Sequence, residues 1–308
     1  MCDIWQRTDA QELSASSLFR HRDSLIQLGV RQVVLSGGEP LLNRDLPAIL
    51  DFLGALNIRV TLLTTGLLLQ KRSEVLVEGV DDIVVSLDGP APIHDSIRRV
   101  PRAFELITRG IEAVRELRPT MPIACRTTVQ KQNHSHLRAT VDAAHSLELD
   151  SISFLPVDLT STAFNRESPW ASGRQEEVAL TASELTALEL EIEQLIDSYR
   201  FDISTRFIRE NETKLRHIGV RFREHLCGAP PRSPKCNAPW VSTVMEVDGT
   251  LRPCFFHPPV ASTTELTLEQ ALNTPSARAF RASLDVASDR TCQHCVCSLN
   301  YQAETYSS

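Results

Sequence analysis

Between residues 31 and 156 short apolar runs alternate with amphipathic stretches, and this alternation leaves few folds open to the chain. Strands are expected over 31–36, 58–64, 82–87, 122–129 and 150–156, with helices over 45–56, 69–79, 102–117 and 133–147 between them. A further helix is expected over Ser14 to Val30, stopping at Gly29. Strands separated by helices at this period pair in parallel, with the helices outside. The pattern admits an open doubly wound sheet or a (β/α) barrel, and both place their chemistry on the loops after the strand ends. Those loops open on polar residues: Ser36 to Glu39, Thr64 and Thr65, Ser86 and Asp88, Arg126 to Thr128, and Pro156 to Asp158. They would ring one mouth, although any Ser, Thr or Asp there could instead cap the next helix.

The first of these loops, Leu35 to Asn43, reads LSGGEPLLN. Gly37 and Gly38 remove two side chains where the strand ends, so that a ligand can approach the backbone. Glu39 adds a carboxylate and Pro40 stiffens the exit, a set of acceptors suited to an ammonium group. Two glycines before a proline also serve simply to turn a chain.

Eight cysteines punctuate the sequence, and six of them fall near its end: Cys227, Cys236, Cys254, Cys292, Cys295 and Cys297. From Cys236 the spacing runs C-x12-G-x4-C, with Gly249 turning a hairpin (VDGT), and then reaches the C-x2-C pair Cys292 and Cys295. Four thiolates in this arrangement suit an iron–sulfur cluster or a closed zinc site equally well. Cys125 lies in an apolar run from Met121 to Val129 and reads as a small buried hydrophobe.

Taken in order, MCDIW at residues 1–5, SGGEP, LLTTG at 62–66, SLDGP at 86–90 and the terminal cysteines resemble the radical S-adenosylmethionine (SAM, AdoMet) enzymes that carry a C-terminal SPASM or shorter twitch cluster domain. The resemblance covers nearly the whole chain. It implies a partial (β/α)6 TIM-like barrel, here without its first strand, over 1–200, a linker over 201–235 and an auxiliary cluster domain over 236–308. It also implies that Gly37, Gly38, Glu39 and Pro40 bind the methionyl amine of SAM. Thr64 and Thr65 are expected at the same rim, Ser86 and Asp88 on the ribose or carboxylate, and Arg126 as a partner for the carboxylate. Cys236, Cys254, Cys292 and Cys295 would hold one auxiliary 4Fe–4S cluster, iron displacing zinc as the reading of these four thiolates. The family's chemistry is reductive cleavage of SAM to a 5′-deoxyadenosyl radical that takes hydrogen from a peptide or small-molecule substrate, with an electron donor such as a flavodoxin or ferredoxin.

One part of the family pattern is missing. The core cluster takes three cysteines from C-x3-C-x2-C, and only Cys2 matches, at the third position. The chain as written is therefore expected to be inactive. Either an internal methionine has been taken as the start, with an apolar strand and two cysteines encoded upstream, or the chain is a non-catalytic iron–sulfur or zinc protein descended from such enzymes.

Three further stretches carry expectations. His94 and Asp95 read as structural, 160–179 as a long substrate-facing loop, and Thr181 to Tyr199 as an amphipathic helix closing the core. The Arg- and Glu-rich 206–224 reads as a solvated helix or linker. A net charge of −7 argues against nucleic acid or an anionic membrane as the main partner. No apolar run approaches the roughly 18 residues that span a bilayer, and the N-terminus lacks a secretory signal, so a cytoplasmic location is expected.

Overall fold

A computed structural model describes Asp3, residues 11–163, Arg166, residues 168–231 and residues 234–302. Five strands, β1 (Gln32–Leu35), β2 (Arg59–Thr64), β3 (Asp82–Ser86), β4 (Ile123–Val129) and β5 (Ser151–Pro156), form one parallel sheet in the order β1-β2-β3-β4-β5. Helices Leu46–Ala55, Leu69–Gly79, Ala103–Leu117 and Leu137–Ser146 make the crossovers, each within a few residues of its expected range.

This geometry decides between the two folds left open above. A doubly wound sheet reverses its strand order at a switch point and is covered by helices on both faces. Here the order never reverses, and among the described residues one face is the more deeply covered. Val60, Leu62, Ile83, Val85, Ile152 and Phe154 are buried beneath the helices. On the opposite face Val34 is 51% exposed, Arg126 is exposed, and Ser86 and Ser153 are half-buried. Such cover in sequential order is the wall of a partial barrel. Beyond β5 the chain runs alongside Ile152 once more: Ile152 N donates to Phe207 O at 2.7 Å and Arg209 N donates to Ile152 O at 2.9 Å.

Several local expectations change. The stretch expected as one helix over 14–30 breaks at Arg20 and His21 into Ala15–Phe19 and Arg22–Gln27. An additional helix, Ala91–Arg98, follows β3, with prolines in its first turn, where a missing N–H costs nothing. Helix Ala182–Ser198 starts with a capping box between Thr181 and Glu184. The Arg- and Glu-rich stretch is neither a linker nor fully solvated. It forms helix Glu212–Cys227, which buries Leu215, Ile218 and Phe222 and packs on Ala182–Ser198.

Contacts gather the chain into two compact units, Val30–Val157 with Ala171–Ala229, and Met1–Gly29 with Asp158–Trp170 and Pro230–Ser308. The expected boundaries at 200 and 235 cut the sequence at single points, whereas these units interleave. The second unit contains a small antiparallel sheet, β6 (Val244–Met245), β7 (Thr250–Arg252) and β8 (Ala261–Ser262), in the order β6-β7-β8. Gly249 turns its first hairpin at φ 83°, a conformation that favours glycine. The same unit takes in part of the stretch read as a substrate-facing loop. There the buried Arg166 bonds Asp158 through Oδ2 at 2.7 Å and through its carbonyl at 2.8 Å, and stacks 3.7 Å over the Trp170 ring. The Trp170 indole in turn donates to Asp3 at 2.7 Å.

Candidate functional site

The loop after β1 is built as a cradle. Gly37 sits at φ 138°, and a Cβ placed there would meet no atom within 4 Å, which leaves open space against the backbone. Gly38 is exposed beside it, and Pro40 starts a 3-10 turn over Pro40–Leu42. The Glu39 carboxylate is not free. Its Oε1 accepts from Thr64 Oγ1 at 2.8 Å and from Leu41 N at 3.3 Å, and its Oε2 accepts from Thr65 N at 2.9 Å and from the Thr65 hydroxyl. Four donors fill the acceptor capacity of one carboxylate. Glu39 thus staples the β1 loop to the end of β2. Thr64 and Thr65, expected as rim residues, are the donors of that staple.

The other expected rim residues divide. Ser86, Arg126 and Ser153 lie in register on the open face, and Arg126 Nε donates to Ser153 Oγ at 3.3 Å. Arg126 to Thr128 were expected in a loop but are inside β4, so Thr127 points to the buried face and donates to Leu87 O at 2.6 Å. Asp88 is withdrawn from the rim: it is 2% exposed, its carboxylate lies 2.7 Å from Arg98 Nε, and its backbone N donates to His94 Nδ1 at 3.2 Å. Burial pushes His94 down to about 4, with Arg98 lowering it further and the Asp88 charge opposing. His94 is therefore a neutral structural acceptor, and Asp95 caps the next helix by accepting from Phe104 N at 2.8 Å. Sequence reasoning missed Glu210, whose carboxylate accepts from Phe154 N at 2.9 Å and whose pKa rises chiefly through burial, against the pull of Lys214 and Arg126. Nothing in RFIRENE singled it out, because its partner is 56 residues away.

Cys2 lies outside the described residues. Cys125 is 1% exposed, with its pKa raised by burial, and so cannot stand in for a missing ligand at an open loop.

The terminal cysteines do converge. Burial raises the pKa of Cys254, Cys295 and Cys292, the last to about 12, and the charges of their neighbours add to each rise: Cys236 acts on all three, and Cys254 acts on both Cys292 and Cys295. Such repulsion requires the sulfurs to be close together. A bound cation would reverse it, drawing the protons off as the thiolates ligate. No three cysteine sulfurs among the described residues lie within 4.8 Å of one another. Zinc bonds of about 2.3 Å draw four tetrahedral sulfurs to within about 4 Å. A four-iron cluster spreads its thiolates over four different metals, so its ligand sulfurs stand further apart than those around one zinc. Cys227 ends a helix of the parallel-sheet unit and is exposed, while Cys297 is exposed and gives its N–H to Cys295 Sγ at 3.3 Å.

Two family models match separate parts of the chain. The family model "Radical SAM superfamily" matches residues 1–144, and the model "Iron-sulfur cluster-binding domain" (SPASM) matches residues 236–296. An AdoMet-dependent heme synthase of Methanosarcina barkeri (strain Fusaro / DSM 804) is 33% identical over 162 residues, covering 52% of this chain and 45% of that protein. A probable GTP 3′,8-cyclase of Methanococcus maripaludis is 31% identical over 150 residues, 47% of this chain and 50% of that protein. The chain thus spans about half the length of these curated relatives. Among solved structures, anSMEcpe with bound AdoMet superposes with a TM-score of 0.64 at 16% identity, over 91% of this chain and 78% of that one. Streptococcus suis SuiB bound to its precursor peptide SuiA gives 0.60 at 15% identity, over 96% and 68%. A helix-covered parallel wall with a glycine cradle at one strand end, the terminal thiol set and both family models agree: residues 1–144 match a radical SAM superfamily domain and residues 236–296 a SPASM iron–sulfur cluster-binding domain.

Proposed function

We propose that this chain binds AdoMet at the loop after β1 and an auxiliary 4Fe–4S cluster at Cys236, Cys254, Cys292 and Cys295, as part of a radical SAM enzyme acting on a peptide or small molecule. The observation that carries the proposal is the cradle: Gly37 leaves space at the backbone while Glu39 and four donors fix the loop's shape. Gly37, Gly38 and Pro40 shape the seat of the AdoMet amine, and Glu39, Thr64 and Thr65 hold it rigid. Ser86 and Arg126 on the open face take the polar end of the ligand. Asp88 serves the fold through Arg98. When bound, AdoMet supplies radical hydrogen abstraction, and the protein's share is to orient the reactants and exclude water. The auxiliary cluster calls for an external electron donor of the ferredoxin or flavodoxin class. Peptide substrates are found with SuiB, and names of porphyrin and nucleotide chemistry attach to the sequence relatives.

Equilibrium dialysis of AdoMet against the full chain tests the cradle. Gly37→Val should weaken binding at least tenfold, since a β-branched residue disfavours φ 138° and fills the space. Binding that is unaffected by this change would place AdoMet elsewhere. A second reading, a binding protein without catalysis, is favoured by Cys2 being the one cysteine at the core position. Under it, the 308-residue chain given AdoMet and dithionite forms no 5′-deoxyadenosine, whereas a chain with the full C-x3-C-x2-C does if the enzyme reading holds.

A further inference from the structure

His257 stands outside the cysteine pattern, three residues after Cys254 in the stretch CFFHPP. The fold brings its ring to Cys292, 35 residues on: Nε2 is 3.3 Å from Cys292 Sγ and 3.7 Å from Asp289 Oδ1. The ring is held from several sides. His257 is 4% exposed, the Phe280 ring meets it edge-on at 4.9 Å between centroids, and Arg252 Nη1 donates to its carbonyl at 3.3 Å. Asp289 is fixed in turn, since its Oδ1 accepts from Cys292 N at 2.9 Å as the N-cap of helix Arg290–Gln293.

Once Cys292 is a metal-bound thiolate its sulfur carries no proton, so a hydrogen bond across the 3.3 Å gap must be donated by Nε2–H. We propose that His257 is a positioning residue that donates this hydrogen bond to the Cys292 sulfur and thereby raises the reduction potential of the auxiliary cluster. The inference rests on the cluster reading above. Reduction adds negative charge to the cluster, and a donor aimed at a ligand sulfur in a buried site stabilises the reduced form more than the oxidised one. Among the described residues the other donors to these sulfurs are backbone groups, Cys297 N to Cys295 and the N–H groups of Phe256 and His257 to Cys254, while the Asp289 carboxylate beside Cys292 is an acceptor. The backbone groups are fixed by the chain, so among these donors only the His257 side chain can be varied by substitution.

The test uses the full chain, reconstituted anaerobically with iron and sulfide and titrated electrochemically with EPR detection. His257→Leu should retain iron and sulfide, and at a fixed potential its reduced-to-oxidised ratio should fall about tenfold, a shift of about 59 mV for a one-electron couple. His257→Gln, which keeps a donor of similar reach, should recover most of that ratio. An unchanged potential in His257→Leu overturns the proposal. So does loss of iron from both variants together with a strong nitrogen coupling in the wild-type EPR signal, which would make His257 a ligand alongside Asp289 and Cys292. A wild-type chain that takes up zinc and no sulfide refutes the cluster reading itself, and is distinguished from these outcomes by metal analysis alone.

Discussion

The parallel-sheet unit and the cysteine unit hold their sites by different means. Among the described residues, the twelve largest fully buried side chains, Leu41, Leu62, Ile83 and Phe222 among them, all belong to the parallel-sheet unit. Its loops project from a core that needs no ligand to form. The cysteine unit has strands of two and three residues, and its core rests on small or few side chains such as Leu251, Leu268, Ala271 and Ala277. Short strands with little apolar cover are marginal alone, and a metal that ties distant segments together supplies the missing cohesion. The cradle at β1 should therefore persist without its ligand, and the thiol site should not.

The largest effect is expected from removing that metal. Chelation, or Cys236→Ala or Cys295→Ala in the reconstituted chain, should release about four irons and raise amide hydrogen exchange through 236–299, while β2 to β5 stay protected. Cys125→Ala, inside the sheet core, should leave the iron in place. Uniform exchange across both units after iron loss would show that they share one stability, and the contrast would fail.

The converse change comes next. Leu62 is fully buried in β2, between β1 and β3, and Leu62→Ala should cost the parallel-sheet unit about 2–5 kcal/mol, read from exchange of β2 and β3 amides in denaturant. The iron content of the cysteine unit should not change.

A pH effect of intermediate size should be confined to the parallel-sheet unit. His94 is wholly buried, with Asp88, Arg98 and Asp95 as its charged neighbours, and burial lowers its pKa from 6.5 to about 4. Below pH 6.5 the unfolded chain binds a proton that the folded chain refuses until about pH 4. Stability from this group is thus complete above pH 6.5 and falls as the pH drops through that window, by about 3 kcal/mol at most. His94→Asn keeps an acceptor for Asp88 N and should flatten that slope. An unaltered slope would assign the acid sensitivity to other groups.

What could be read from the sequence followed from repetition. The strands were legible because a buried face repeats every second residue and the crossover helices separate them, and the SPASM match over 236–296 because G-x4-C and C-x2-C are local spacings. Features made by distant pairing were not legible. Asp88 reads as a rim carboxylate until Arg98 is seen beside it, and helix Ala91–Arg98 was hidden by its own prolines and by a buried His94. His257 carried no spacing signal at all, because its partner sulfur is reached through a fold of two- and three-residue strands.

The smallest effect concerns the Glu39 staple, where the sequence suggested a ligand-facing carboxylate and the structure shows a carboxylate with four internal donors. Glu39→Gln preserves size but replaces one acceptor oxygen with an N–H2 group, which must face the N–H and hydroxyl of Thr65 or the hydroxyl of Thr64. The Thr64 hydroxyl can turn, since it already accepts from Gly66 N at 3.0 Å; the Thr65 N–H cannot. The amide should therefore keep its oxygen toward Thr65 and lose the bond to Leu41 N, at a cost of about 1 kcal/mol in local stability. AdoMet affinity should fall only a few-fold by dialysis, because the open space at Gly37 remains. If the carboxylate instead faced the ammonium group directly, removal of its charge would cost much more in affinity than in stability. A hundredfold loss of AdoMet binding with unchanged exchange at Leu41 and Thr65 would identify Glu39 as a ligand contact and overturn its reading as a staple.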